Sequence, residues 1–352
     1  MFLKSIFLQN FRNYSKSEFN FSKATTLIVG PNTSGKTNLI EAIFFLSTGK
    51  SFKGGDQDVI SFDYDIARIR GNSLEIVFAW KEERFIKRYL VNGVAKQRVN
   101  FVGHLPAVLF APSDLELVTA SPGIRRNYLD FVLEQVDSLY RRSLLSYEKA
   151  IRARNRLLEN AKKTGKRNEE VFEYWDNVLI DNGNIVTKTR GKYLEYINNS
   201  IKNVFDLKVT YDKSIISNDR LLQYKDQELA AGATLVGPHR DDFSILMHPN
   251  INTANKSELN ESELKDIKFF GSRGEQRLAV LQLKIIELSF LKENLEEVPL
   301  LLLDDIFSEL DSEHIELVLK MTKGQQTIIT TTHKEFIHHN MLDNVQIISL
   351  SQ

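Results

Sequence analysis

Cysteine is absent from the 352 residues. Disulfides, thiolate metal sites and a cysteine nucleophile are therefore excluded, and a chain that is 42% hydrophobic at this length can fold on its own core. No run of about 18 apolar residues occurs, and Lys4 and Arg12 interrupt "MFLKSIFLQNFRNY" before an export-signal core could form. No membrane span and no secretion signal is expected, and a cytoplasmic setting fits this expectation. An excess of one charge is also lacking, since 46 Lys plus Arg balance 46 Asp plus Glu. Any polyanionic partner must meet a local patch rather than a bulk field. No internal repeat is evident, and the length suggests two to three domains or one large domain with insertions.

What the chain does have is a phosphate cradle. "GPNTSGKTN", residues 30 to 38, follows the apolar run "TTLIVG" and leads into the helix-like "LIEAIFFLSTG". Strand, glycine loop and helix come in the order required by G-x-x-x-x-G-K-[ST], with Gly30, Gly35, Lys36 and Thr37 at the fixed positions. Glycine at each end lets the backbone through Pro31, Asn32, Thr33 and Ser34 wrap a phosphate. The helix beginning near Thr37 and Asn38 turns its positive end towards that charge, Lys36 reaches the outer phosphates, and Thr37 is placed to ligate Mg²⁺. The alternative is a chance glycine-rich turn, against which the four fixed positions weigh.

A second element complements the cradle. "LLLLDDIFSELD", residues 300 to 311, reads as a buried strand ending in two acids. Asp304 could hold the Mg²⁺ shell while Asp305 polarises an attacking water. A helix N-cap is the plainer use of such a pair.

The remaining organisation is mixed α/β. Residues 66 to 98 read as antiparallel strands, with Asn92-Gly93 placed for a type I′ hairpin. Apolar runs such as "PLLLLD" and "TIIT" in the C-terminal third suit strands buried on both faces of a parallel sheet. The polar stretch 252 to 266 reads as a loop. Between Lys149 and Lys192 eleven basic residues face six acidic ones, including Arg154, Lys162, Lys163, Lys166, Arg167, Lys188, Arg190 and Lys192. Tyr140, Leu144, Tyr147, Ile151 and Leu158 recur at helical spacing there, as do Phe172, Trp175, Leu179, Asn182, Val186, Thr189, Tyr193 and Tyr196. With the turn "KKTGKRN" between them, these predict a helical hairpin with a basic tip, each arm roughly 45 Å long at ~1.5 Å per residue. A solvated charged face on ordinary helices is the bland alternative.

Taken together, "GPNTSGKTN", "FFGSRGEQRL" (269–278), "LLLLDDIFSELD" and "TTTH" (330–333) resemble the ABC-type heads of chromosome-maintenance and DNA-repair ATPases. The set "LQNFRNY" (8–14), "LFAPSDLELV" (109–118), "SPGIRRNYLDF" (121–131) and "LVGPHRDDF" (235–243) resembles more narrowly the RecF family of bacterial recombination repair, over nearly the whole chain. The resemblance implies an ABC-type α/β head, made of a glycine-loop sheet and an antiparallel β subdomain, with an inserted helical arm. Its divisions would be 1–130 for the N-terminal part of the head, 131–230 for the arm and 231–352 for the C-terminal part.

The same resemblance assigns residues. Ser272, Gly274, Glu275 and Gln276, with Arg273 between, correspond to the signature that a second subunit presents to the γ-phosphate. Read without the family, that string is a loop and a helix cap. Ser308, Glu309, Leu310 and Asp311 correspond to the D-loop, His333 to the switch histidine, and Arg12 and Asn13 to the nucleotide-contacting N-terminal loop. No Gln stands out for the Q-loop, and Asp114 is the nearest candidate. Lys162, Lys163, Lys166, Arg167 and Lys53 are candidates for DNA phosphates. Arg125, Arg126, His239 and Arg240 could support the head or face phosphates.

The implied function is ATP- and Mg²⁺-dependent closure of a homodimer on duplex and gapped DNA, helping to load recombinase with the RecO and RecR mediator proteins. A weak, DNA-stimulated ATPase would reopen it, and no membrane partner is implied. A transporter subunit would carry its signature much closer to the glycine loop than Ser272 lies from Gly30. A chromosome-cohesion protein would have far longer arms, and a metabolic kinase has no use for a signature.

Overall fold

The computed structural model describes residues 2–248, 263–308, 310–332 and 345–351. They form two compact units, Met1–Asp114 together with Lys284–Gln352, and Leu115–Leu283. These boundaries lie elsewhere than the 130/131 and 230/231 divisions drawn from sequence.

The first unit contains β1 (Ser5–Phe11), β2 (Tyr14–Asn20), β3 (Thr25–Val29), β4 (Ile66–Gly71), β5 (Leu74–Lys81), β6 (Arg84–Val91), β7 (Val94–Lys96) and β8 (Ala107–Phe110). The second unit contributes β9 (Lys208–Asp212), β10 (Asp242–Met247) and β11 (Lys265–Asp266). β12 (Leu300–Asp304), β13 (Thr327–Thr331) and β14 (Val345–Ser349) return to the first. A wholly parallel sheet runs β14-β3-β13-β12-β8. Every residue of β3, β12 and β13 is buried, which is why these strands read as unbroken apolar runs.

An antiparallel sheet runs β2-β1-β4-β5-β6-β7. Burial alternates along β4 and the first part of β5, as one covered face demands. The β6–β7 turn is the hairpin expected at Asn92-Gly93: Val91 pairs with Val94, and the two central residues have φ of 51° and 76°. The helix Lys36–Thr48 packs between the two sheets and is buried nearly all round, its Phe45 making edge contacts with Phe11 and Phe78.

The second unit is built on a hairpin of two helices, Ser138–Thr164 and Glu169–Asn199. Asp137 caps the first through Leu139 N and Tyr140 N at 2.8 and 3.0 Å, and Gly165, at φ 69°, ends it in the left-handed conformation. The predicted seam is present: Tyr140, Leu144, Tyr147, Leu158, Phe172, Leu179, Val186 and Tyr193 are buried.

The expected basic surface needs correction, because Arg154 and Arg190 lie in that seam, 0% and 2% exposed. Arg154 bonds Asp176 at 2.5 Å, Glu228 at 2.7 Å and the Thr234 hydroxyl at 3.0 Å. Arg190 bonds Asp130 and the Pro238 carbonyl at 2.8 Å, the Tyr140 hydroxyl at 3.0 Å and Asp241 at 3.4 Å. Buried guanidinium groups are tolerable only with such complete pairing. The "GPHRDD" stretch serves the same interior: Asp242 holds Arg125 bidentately at 2.7 and 2.9 Å, and His239 Nδ1 lies 2.7 Å from the Tyr147 hydroxyl. A three-stranded sheet, β11-β10-β9, completes the unit. The chain passes back to the first unit inside the helix Arg273–Asn294.

Candidate nucleotide site

The glycine loop leaves β3 and turns so tightly that side chains are excluded at both ends. A Cβ on Gly30 would stand 2.6 Å from Ser34 Oγ, and one on Gly35, at φ +96°, would meet the Asn13 side chain at 2.6 Å. The helix Lys36–Thr48 starts without a side-chain cap, so its first N–H groups are left for a ligand. Ser34 Oγ is buried with no hydrogen-bond partner among the described residues. Lys36 folds over the loop, donating to the Gly30 and Pro31 carbonyls at 2.8 and 2.9 Å. Burial lowers its pKa, and Asp305 and Asp304 partly offset the shift.

The two acids at the end of β12 have different settings. Asp304 is buried, and its Oδ1 accepts from Thr37 Oγ1 at 3.1 Å and from Thr330 Oγ1 at 2.7 Å. Burial raises its pKa against the pull of those hydroxyls. Asp305 is half-buried, held at φ 50° while its N–H bonds Thr330 O and Oγ1 at 3.2 and 3.0 Å. A non-glycine residue in the left-handed region at this point is the kind of stored strain that clusters at functional sites.

Around the loop the fold gathers Arg12, Asn13, Asn38 and Lys53. Arg12 grips buried Glu41 with Nε and NH2 at 3.0 and 2.7 Å and donates NH1 to the Asp58 carbonyl at 2.7 Å. Asn38 Nδ2 bonds Asn13 Oδ1 at 2.8 Å, and Lys53 Nζ bonds Asn38 Oδ1 at 2.7 Å and lies 3.7 Å from Glu41. Lys53, read from sequence as a DNA contact, thus stands beside the glycine loop. Burial lowers its pKa. Glu41, Tyr14 and Thr330 escaped the sequence reading. Only Glu41, one acid inside "LIEAIFF", left a trace there. Tyr14 bonds the Gly35 carbonyl at 3.0 Å.

In the second unit, Ser272 and Glu275 form a capping box. Ser272 N and Oγ both donate to Glu275 Oε2 at 2.7 Å, and Glu275 N returns to Ser272 Oγ at 3.3 Å. Gln276 donates to the carbonyls of Ile267, Lys268 and Gly271, while its Oε1 is buried without a partner among the described residues. A Cβ on Gly274 would meet nothing within 4 Å, so internal packing does not demand glycine there. Asp311 caps the helix Ser312–Met321 through His314 N at 3.0 Å. Asp114 pairs with buried Lys284 at 3.3 Å, which also lies 3.1 Å from Glu287; burial pushes Glu287 up to about 7. Glu309 and His333 lie outside the described residues.

At the arm tip, Lys162, Lys163 and Lys166 are exposed. Arg167 instead lies 3.9 Å above the Phe172 ring and bonds Glu169 at 3.0 Å.

Residues 2–352 match the family model described as RecF/RecN/SMC N terminal domain, and the chain belongs to that family of ABC-type ATPase heads. Relatives within the family include RecF proteins. The chain is 35% identical over 363 residues to the DNA replication and repair protein RecF of Caldanaerobacter subterraneus, covering 95% of each. It is 32% identical over 383 residues to that of Bacillus cereus, covering 100% of this chain and 97% of the relative.

Among solved structures, the recombination mediator protein RecF-ATP of the RecFOR pathway superposes with a TM-score of 0.83 at 34% identity, over 96% of this chain and 93% of that one. An Smc head domain from Pyrococcus furiosus shares the fold at a TM-score of 0.51 and 19% identity, over 99% and 94%. No helix among the described residues is long and apolar enough to cross a membrane.

Proposed function

We propose that this chain is an ATP-dependent DNA-binding protein of recombinational repair, and that ATP with Mg²⁺ closes two copies into a dimer gripping duplex or gapped DNA. The observation that carries this reading is the 3.1 Å bond between Thr37 and Asp304, 267 residues apart, beside a loop whose lysine has no ion pair among the described residues. A hydroxyl and a carboxylate are hard oxygen donors of the kind Mg²⁺ accepts in small number, keeping its other positions for phosphate and water. No cluster of three or more His, Cys, Asp or Glu able to hold a metal occurs among the described residues. When bound, Mg²⁺ neutralises charge on the phosphate oxygens.

This chain's own residues do the rest. The N–H groups of the first helical turn and Lys36 hold the phosphates, with Lys36 exchanging two bonds to neutral carbonyls for bonds to charged phosphate oxygens. Asp305 orients and polarises the attacking water. In the dimer, the Ser272 hydroxyl turns from Glu275 to the γ-phosphate held by the other copy, and the open space over Gly274 supports that approach. Slow, DNA-stimulated hydrolysis reopens the clamp. Cooperation with RecO and RecR in loading recombinase is part of the same reading, supported by family membership and by the RecFOR setting of the solved RecF structures.

Sedimentation with ATP, ADP or no nucleotide, each with and without duplex DNA, tests the proposal. ATP alone among the three should shift the chain to a dimer. Ser272→Arg should keep ATP binding and lose that shift, because bulk and charge then occupy the γ-phosphate position. A variant that dimerises as the parent does would overturn the shared site.

A further inference from the structure

We propose that the second unit carries a docking groove for an acidic, extended segment of a partner protein, laid along the free edge of β9 beside the helix Glu169–Asn199. The groove encloses about 640 Å³ and is lined by buried Leu194 and Val209, by the exposed Ile215, and by Lys188, Lys192 and Lys213.

The backbone supplies the first argument. β9 pairs with β10 on one side only. On the other side the Asn198 carboxamide imitates a neighbouring strand, donating to Val209 O at 2.9 Å and accepting from Val209 N at 2.8 Å. Strand alternation turns the N–H and C=O of Tyr211, two residues on, to that same side, where no partner is found among the described residues. An unpaired edge of this kind is a template for strand addition, in which main-chain bonds hold an extended peptide and pockets receive alternate side chains.

Charge supplies the second. Lys188 and Lys192 stand one turn apart on the same helix face, where like charges disfavour the helix, and Lys213 faces them from beyond the strand. None of the three forms an ion pair among the described residues, whereas buried Arg154 and Arg190 in the same unit are ringed by acids. Glu195 is the one acid lining the groove. Cations without a carboxylate partner among the described residues, beside an apolar lining, select a segment that alternates acidic and aliphatic side chains. A nucleic-acid strand would lay phosphates against Leu194, Val209 and the 56% exposed Ile215, leaving the apolar lining unused.

The experiment is fluorescence anisotropy on the full chain, with a labelled short peptide alternating Asp and Val, and labelled oligo-dT as the competing class. The peptide should bind in a salt-sensitive way. Lys192→Glu combined with Lys213→Glu should weaken it at least about tenfold, since the groove then repels it. Circular dichroism should be unchanged, because both lysines are exposed. Failure of the parent to bind the peptide, or equal binding by the variant, overturns the proposal. So does oligo-dT binding that is lost in the same variant, which assigns the groove to nucleic acid. ATP-dependent sedimentation of the variant should match the parent, so the groove and the nucleotide clamp stand or fall separately.

Discussion

Two buried cations, one in each unit, are handled in opposite ways. Arg190 is enclosed by Asp130, Asp241, the Tyr140 hydroxyl and a carbonyl, and every direction from its guanidinium is answered. Lys36, 7% exposed, holds two loop carbonyls and no carboxylate among the described residues, with its nearest acids acting at a distance. A charge completed by its own chain holds architecture together. A charge left short of an anion is poised to receive one from outside.

The contrast is broken most forcefully at Arg190. Arg190→Met leaves buried Asp241 and half-buried Asp130 without their counterion and should cost about 3–5 kcal/mol, read from urea unfolding. Nucleotide affinity of the protein that remains folded should be unchanged. A loss below about 1 kcal/mol would show that the network is not what holds the seam.

Next in size are the two strand-end acids. Asp305→Asn keeps a residue that tolerates φ 50° yet removes the charge acting on water, so turnover should fall by about 10²–10³ while ATP still binds and closes the dimer. Asp304→Asn should lower affinity, dimerisation and turnover together. Parental turnover in Asp305→Asn would move the catalytic carboxylate elsewhere.

A finer test separates free from occupied cations at the arm tip. Replacing Lys162, Lys163 and Lys166 with Ala should flatten the dependence of log DNA affinity on log salt by up to ~2.7, about 0.9 per contact. Arg167→Ala should leave that slope alone and loosen the tip, because its guanidinium already lies on Phe172 and Glu169.

The smallest effect concerns His239, whose burial holds the imidazole down to about 4 from its usual 6.5. The folded form keeps the ring neutral, so its contribution is complete above pH 6.5 and is lost as pH falls from 6.5 towards 4. His239→Gln should remove that loss, on the order of 1–2 kcal/mol across the window, in denaturation measured at both ends.

Local patterns carried much of this molecule into view. The glycine loop, the Asn92-Gly93 turn and the hairpin seam are written in neighbouring residues, where spacing alone dictates strand, turn or helix face. Arg154 and Arg190 read as surface because charge ordinarily means solvent, and their partners come from far along the chain: Asp130 is 60 residues from Arg190, Thr234 is 80 from Arg154. Glu41 was hidden likewise, since its salt bridge to Arg12 joins a helix to a strand end. The unit boundaries share the cause, because Tyr128, before the arm begins, bonds Tyr193 within it at 2.8 Å and so belongs to the same core. Sequence shows which residues are charged, but only tertiary packing decides which charges are completed.

The parallel sheet also imposes a timetable on synthesis. β3, which feeds the glycine loop, lies between β13 and β14, and Leu3 N reaches Gln326 Oε1 at 2.8 Å across 323 positions. At ~5–20 residues per second, roughly 15–60 s separate the emergence of β3 from that of its neighbours. The second unit is one continuous stretch and can form on the ribosome meanwhile. A nascent chain therefore carries the glycine loop long before β13 and β14 can flank it, and any grip on ATP must wait for them.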